Sequence, residues 1–159
     1  MLVEQLMSRP AVTCRTSDAL ARAAQLMWDH DFGALPVVDA DGRLVGMITD
    51  RDICMAAYLR GQPLADISVE MAMARQVHAC APGDPIGVAE KTMSQFQVRR
   101  IPVADASARV VGVLSLTDLA REAEQEGGRR RPDVTEAEVS RTLAAICQPR
   151  REEQVAPVL

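Results

Sequence analysis

The chain says the same thing twice. Shifted by 66 residues, positions 3–53 align without a gap on 69–119, and 16 of the 51 pairs are identical. Two unrelated segments of ordinary composition would share about three or four. The matched pairs include Met7 with Met73, Cys14 with Cys80, Asp18 with Asp84, Pro36 with Pro102, Gly46 with Gly112 and Asp52 with Asp118. A repeat of this size is one supersecondary unit. It is too small to bury its apolar surface alone, so two copies are expected to pack on each other.

Each copy reads in one order: strand, helix, strand, strand, helix, an α+β arrangement. AVTC (11–14) suits a short strand. Asp18 is placed to cap a helix through Asp29 whose buried face is Leu20, Ala23, Ala24 and Met27. ALPVVDA (34–40) is a strand whose early Pro36 marks its start or an edge. Asp41-Gly42 is a hairpin turn signal, so RLVGMI (43–48) is the antiparallel partner. A helix from Asp50 to about Leu59 follows. The second copy predicts a helix from Asp84, strands over 101–104 and 109–114, a weaker turn at Ala106-Ser107-Ala108, and a helix over 116–126. Val37, Val45 and Met47, with Val103, Val111 and Val113, are expected to form the apolar faces on which the two sheets meet. Paired clefts about an approximate two-fold axis would result. The expected units are 1–62 and 63–126, followed by a tail over 127–159.

In the tail, GGRRRP (127–132) reads as a linker. Thr135 and Glu138 have capping-box spacing, and Val139, Leu143 and Ile146 form a helical apolar stripe. The stripe is expected to dock on its own module or on a second copy. The last ten residues are expected to be loose.

Composition removes several function classes. The net charge is −4, and Arg129, Arg130 and Arg131 are the sole basic run, which argues against nucleic acid as a partner. Aromatic residues are 3%, too few for base-stacking platforms. None of the four cysteines forms a CxxC pair, so neither a zinc knuckle nor a redox dithiol is expected, and the thiols are expected to be mostly buried. No apolar run reaches the length of a membrane span, and MLVEQLMSRP is too acidic for a signal peptide, so the expected compartment is the cytoplasm. No P-loop, GxSxG, HExxH or dinucleotide fingerprint is present, and an enzyme is not expected.

The most informative stretches are GMITDRD (46–52) and GVLSLTD (112–118). With LPVVD and the Asp-Gly turn, they resemble a tandem pair of CBS domains, the regulatory module named after cystathionine β-synthase. The resemblance covers residues 1 to about 126. It implies a regulatory sensor that binds adenosine-containing ligands (AMP, ADP, ATP, S-adenosylmethionine or a dinucleotide) in clefts between the copies. It also implies a homodimer that relays metabolite state to a partner protein, with no metal required. The matching positions are Thr49 and Asp52 in the first copy, Ser115 and Asp118 in the second. A carboxylate can accept both hydroxyls of a ribose diol. Gly46 and Gly112 are expected to let a ring or sugar approach the strand. Thr49 and Ser115 begin helices, where unpaired N–H groups favour phosphate. Adenine would lie between Leu35 and Pro36, or between Ile101 and Pro102. Basic residues before this proline often meet phosphate in the family, which points to Arg99 and Arg100 in the second copy and Arg51 as a helper in the first. Thr117 stands in the second site where Arg51 stands in the first.

Two readings of these residues stay open. Thr49-x-x-Asp52 and Ser115-x-x-Asp118 also fit helix N-caps with an acid at the third position, which need no ligand. The chain is then either a ligand sensor or a ligand-free interaction module acting through dimerisation and its C-terminal helix.

Overall fold

In the computed structural model, which describes residues 1–149, the expected order of elements occurs twice. The first copy supplies α1 (Val3–Leu6), β1 (Cys14–Arg15), α2 (Leu20–His30), β2 (Ala34–Val38), β3 (Leu44–Thr49) and α3 (Asp50–Arg60). The second supplies α4 (Ile86–Phe96), β4 (Arg100–Ala104), β5 (Val110–Ser115) and α5 (Leu116–Glu126), and α6 (Glu136–Ile146) follows. The final stretch expected to be loose, 150–159, lies outside the described residues.

Both hairpins form, and β1 adds to β2 in parallel. The first strand is shorter than AVTC implies. It holds Cys14–Arg15 alone, and in the second copy it shrinks to one bridge between Cys80 and Val103. Residues 11 and 12 leave the sheet and line a cleft instead.

The approximate two-fold axis is visible in the pairing. Arg43 and Arg109, which are repeat equivalents, form an antiparallel bridge with each other, and Leu44 N–H donates to the Ala108 carbonyl at 2.9 Å. The bridge from Ser8 to Val113 has its 66-residue mate in Ala74 to Met47, and Leu2 to Pro85 has its mate in Ser68 to Ala19. Ala108 closes the second hairpin at φ 61°, taking the place of Gly42 at φ 78°.

Those bridges also show an exchange. The opening segment of the first copy, 1–8, packs into the core of the second, where Val3 and Met7 are buried. The opening segment of the second copy packs into the core of the first through Val69 and Met73. Each core is therefore completed by chain from the other repeat. Eight buried positions of the first core, from Cys14 with Cys80 to Ile53 with Leu119, have buried equivalents in the second, and the exchanged Val69 and Met73 match Val3 and Met7.

Three details differ from the sequence reading. Val37 lies opposite Gly46, and Leu35 opposite Ile48, so Leu35, Val37 and Ile48 share the face buried under the helices. Val37 does not share a face with Met47, which lies opposite Pro36; Val103 and Val113 are separated in the same way. The strand period of two sorts side chains by register, and one residue of slip exchanges the faces. Second, Asp18 and Asp84 cap no helix. Their carboxylates accept from the N–H groups of Arg15 and Ala81 at 2.8 Å, bracing the turn before each helix, while Ala19 and Pro85 occupy the N-cap positions. Third, α6 docks on α4 and α5 of its own second copy, as expected, but with a different stripe. Its buried stripe uses Thr142 and Ile146, whereas Leu143 is exposed. The expected capping box is present: Thr135 Oγ accepts from Glu138 N–H, and Glu138 accepts from Thr135 N–H at 2.9 Å.

Candidate functional site

The hairpin ends and the helix starts meet between the two copies. There a cleft of about 400 Å³ is built from both. The first copy contributes Pro10 and Val12, the end of α2 at His30 to Phe32, and Ala34 and Pro36 of β2. The second contributes Arg100, Val113, Ser115, Thr117, Asp118 and Arg121.

Five of the residues expected in the site therefore meet here: Pro36, Arg100, Ser115, Thr117 and Asp118. Thr49, Arg51, Asp52 and Pro102 occupy the equivalent places about the two-fold axis, outside this cleft. Arg99 is exposed and outside the lining; its carbonyl accepts from Leu116 N–H at 2.9 Å and holds the start of α5 against β4. Leu35 is a correction. It is fully buried on the helix-facing side of the sheet, as is Ile101, so neither side chain can flank a ligand. Only the prolines point the other way.

The glycines are a second correction. A Cβ on Gly112 would strike Met7 Sδ and lie 3.1 Å from the Ser8 carbonyl oxygen; one on Gly46 would lie 2.7 Å from Met73 Sδ and 3.0 Å from the Ala74 carbonyl oxygen. The open face of each glycine is taken by the exchanged methionine segment, not by space for a ligand. Gly46-Met73 and Gly112-Met7 are one packing device used twice.

Both capping boxes form. Ser115 N–H and Oγ donate to Asp118 Oδ2 at 2.8 and 2.6 Å, and Asp118 N–H donates back to Oγ at 3.2 Å. Thr49 and Asp52 repeat this at 2.9, 2.7 and 3.1 Å. The box consumes one carboxylate oxygen of each aspartate. Oδ1 has no hydrogen bond among the described residues, so one oxygen of Asp118, not two, remains for a ligand hydroxyl. Capping and ligand contact are compatible, because the box uses Oδ2 and leaves Oδ1 without a partner among the described residues.

Arg121 was not foreseen. It lies three residues beyond Asp118 on α5, and that spacing puts both on one helix face. Its first-copy equivalent is Met55, so the cation is private to this cleft. Arg100 also reaches across the axis: its Nη1 sits 3.4 Å from where a Cβ on Gly33 would be. The cleft thus offers prolines and valines for a flat ring, one carboxylate oxygen for a hydroxyl, and two guanidinium groups for an anion. Among the described residues no three His, Cys, Asp or Glu side chains gather as a metal set.

The CBS-domain family profile matches residues 3–58 and 64–124. The chain belongs to the CBS-domain family. Within it, the chain is 34% identical over 140 residues to Hypoxic response protein 1 of Mycobacterium tuberculosis, covering 87% of this chain and 89% of that one. It is 31% identical over 120 residues to L-aspartate semialdehyde sulfurtransferase of Methanocaldococcus jannaschii, covering 76% of this chain. It spans only 23% of that enzyme's length, so the CBS pair is all that the match carries. Among solved structures, the CBS domain pair of protein MJ0100 in complex with 5-methylthioadenosine and S-adenosyl-L-methionine superposes with a TM-score of 0.70 at 30% identity. That match covers 82% of this chain and 98% of that one. No helix among the described residues is long and apolar enough to cross a membrane.

Proposed function

We propose that this CBS pair is a regulatory module that binds an adenosine-containing ligand in the cleft at Asp118 and relays occupancy to a protein partner. The observation that carries the reading is the cleft itself. It exists only where both copies meet, and it joins apolar walls to Asp118 Oδ1, Arg100 and Arg121. Its volume of about 400 Å³ falls within the usual range of small-molecule sites. The ligands of the MJ0100 pair support the ligand class. The ribose hydroxyls donate to Asp118, the base lies against Pro36 and Val113, and the guanidinium groups meet phosphate. AMP, ADP and ATP suit two arginines better than S-adenosylmethionine, whose sulfonium is positive; a dinucleotide would need more room. No metal takes part, and the chain is not itself catalytic.

Because each wall of the cleft belongs to a different copy, a ligand that bridges them changes how the copies pack. A relay requires different affinity for two such packings. The module acts as a cytoplasmic homodimer, and the exposed Trp28 and Tyr58 of α2 and α3 support that assembly.

Calorimetry with AMP, ATP and S-adenosylmethionine tests the reading. At least one is expected to bind. Asp118→Ala is expected to weaken it about 10-fold or more, the worth of one charge-assisted hydrogen bond. Arg121→Ala is expected to weaken ATP more than adenosine. Unchanged affinity in Asp118→Ala defeats the assignment. Absence of binding by every probe favours a ligand-free interaction module, in which the capping boxes are purely structural.

A further inference from the structure

The 66-residue shift carries the cleft at Asp118 onto an equivalent position at Asp52, and the residues that correspond in the two places differ. The cleft at Asp118 is lined by the short Val12 and by His30. His30 is held aside because it stacks on Phe32, with ring centroids 5.7 Å apart and planes 15° apart. In the related cleft at Asp52, His78 stands in the place of Val12, Phe96 in the place of His30, and Val98 in the place of Phe32. Phe96 therefore has no neighbour on its own loop to stack on. It closes on His78 instead, with centroids 3.3 Å apart and planes 8° apart.

We infer that the His78–Phe96 stack is a built-in plug that fills the flat slot of the Asp52 cleft, so each chain binds one ligand, at Asp118. The inference rests on the adenosine reading above. An imidazole lying flat on a phenyl ring occupies the kind of slot that a purine would use, and it satisfies the aromatic face from within the chain. Charge does not separate the two: Arg121 on the Asp118 side replaces Met55, while Arg51 on the Asp52 side replaces Thr117, so the stack is what distinguishes them. The Thr49–Asp52 box is nevertheless intact, so the plugged cleft retains its polar half. Replacing His78 with the residue of the open copy is enough to test whether the plug is what closes it.

The test uses the full chain and two measurements. In the first, proton NMR of the wild type is expected to show the His78 ring protons moved upfield by the Phe96 ring current, and Phe96→Leu to remove the shift. Unshifted His78 protons overturn the inference whatever the ligand does. In the second, calorimetry with AMP, and separately with S-adenosylmethionine, reads the stoichiometry. The wild type is expected to take one equivalent per chain and His78→Val two. Adding Asp52→Ala to His78→Val is expected to return it to one. Two equivalents in the wild type, or one in a folded His78→Val, overturn the plug while leaving the adenosine reading in place. No binding by either protein overturns the adenosine reading itself, and the inference with it.

Discussion

Single atoms decide much of this protein. Each repeated aspartate divides its carboxylate: Oδ2 closes a capping box, and Oδ1 makes no hydrogen bond among the described residues. Asp118→Ala should therefore lower stability as well as affinity, by about 1 kcal/mol for the lost cap. Comparing Tm with affinity in the same variant separates the two roles. The repeated glycines make room for methionine, so Gly112→Ala should destabilise by roughly 1–3 kcal/mol through overpacking against Met7 and the Ser8 carbonyl. A chemical denaturation curve checks it. The cysteines differ from the mostly buried set expected: Cys14 and Cys80 are buried, while Cys54 and Cys147 are exposed. Burial, with Asp18 nearby, pushes the Cys14 thiol from an ordinary 9.0 up to about 12. Burial, with Asp84 nearby, also raises Cys80. A thiol reagent at neutral pH should modify two cysteines in the native chain and four after unfolding. Below about 9 the thiol is neutral in both states and the raised pKa costs nothing; above it the unfolded chain ionises first, so stability should fall as pH rises from 9 towards about 12.

At the scale of elements, the helices were the easiest to read and the strand faces the hardest. Helical periodicity spans three turns and tolerates an error of one residue at each end. A two-residue strand such as β1 has no periodicity to read, and its place is set by which partner it can bond. The α4–α6 contact carries a defect that periodicity does not reveal. Glu90 Oε1 on α4 is buried without a hydrogen-bond partner among the described residues. Desolvation first, and then Glu138 of α6, raise the pKa of Glu90, and Arg141 offsets part of the effect. A raised carboxylate pKa means that the folded chain is penalised once pH passes the unfolded value. Glu90→Leu should accordingly stabilise the protein at pH 7 by about 1 kcal/mol, with less gain at acid pH. Thermal unfolding at two pH values distinguishes this from a simple packing gain.

For the whole molecule, the tail is part of the fold. Glu126, at the end of α5, is 1% exposed, and its carboxylate accepts from the N–H groups of Asp133 and Val134 at 2.6 and 2.9 Å and from Arg129 at 2.5 Å. The N-terminal ammonium meets Asp133 at 2.8 Å, so the start of the chain is tied to the segment that leads from α5 into α6. The Val134 and Asp133 amides and the Arg129 guanidinium hold Glu126 below its ordinary 4.5, against some desolvation. A depressed carboxylate pKa stabilises the fold above 4.5, and the benefit is lost as pH falls through the lower folded value. Glu126→Gln should lower Tm at pH 7, and its gap from the wild type should close in acid. Removing 127–159 should cost about 3 kcal/mol or more, since Val134 and Ile146 are buried in the second core. The sequence alone determined the duplication, the order of elements, the family and the three capping boxes, because each is written in local spacing or in a shift of one copy on the other. The tertiary structure decided the exchange of opening segments, the strand faces, the arrival of Arg121 and the stacking of His78 on Phe96. Those depend on which surfaces meet about the two-fold axis, and a contact across that axis leaves no periodic mark in either partner.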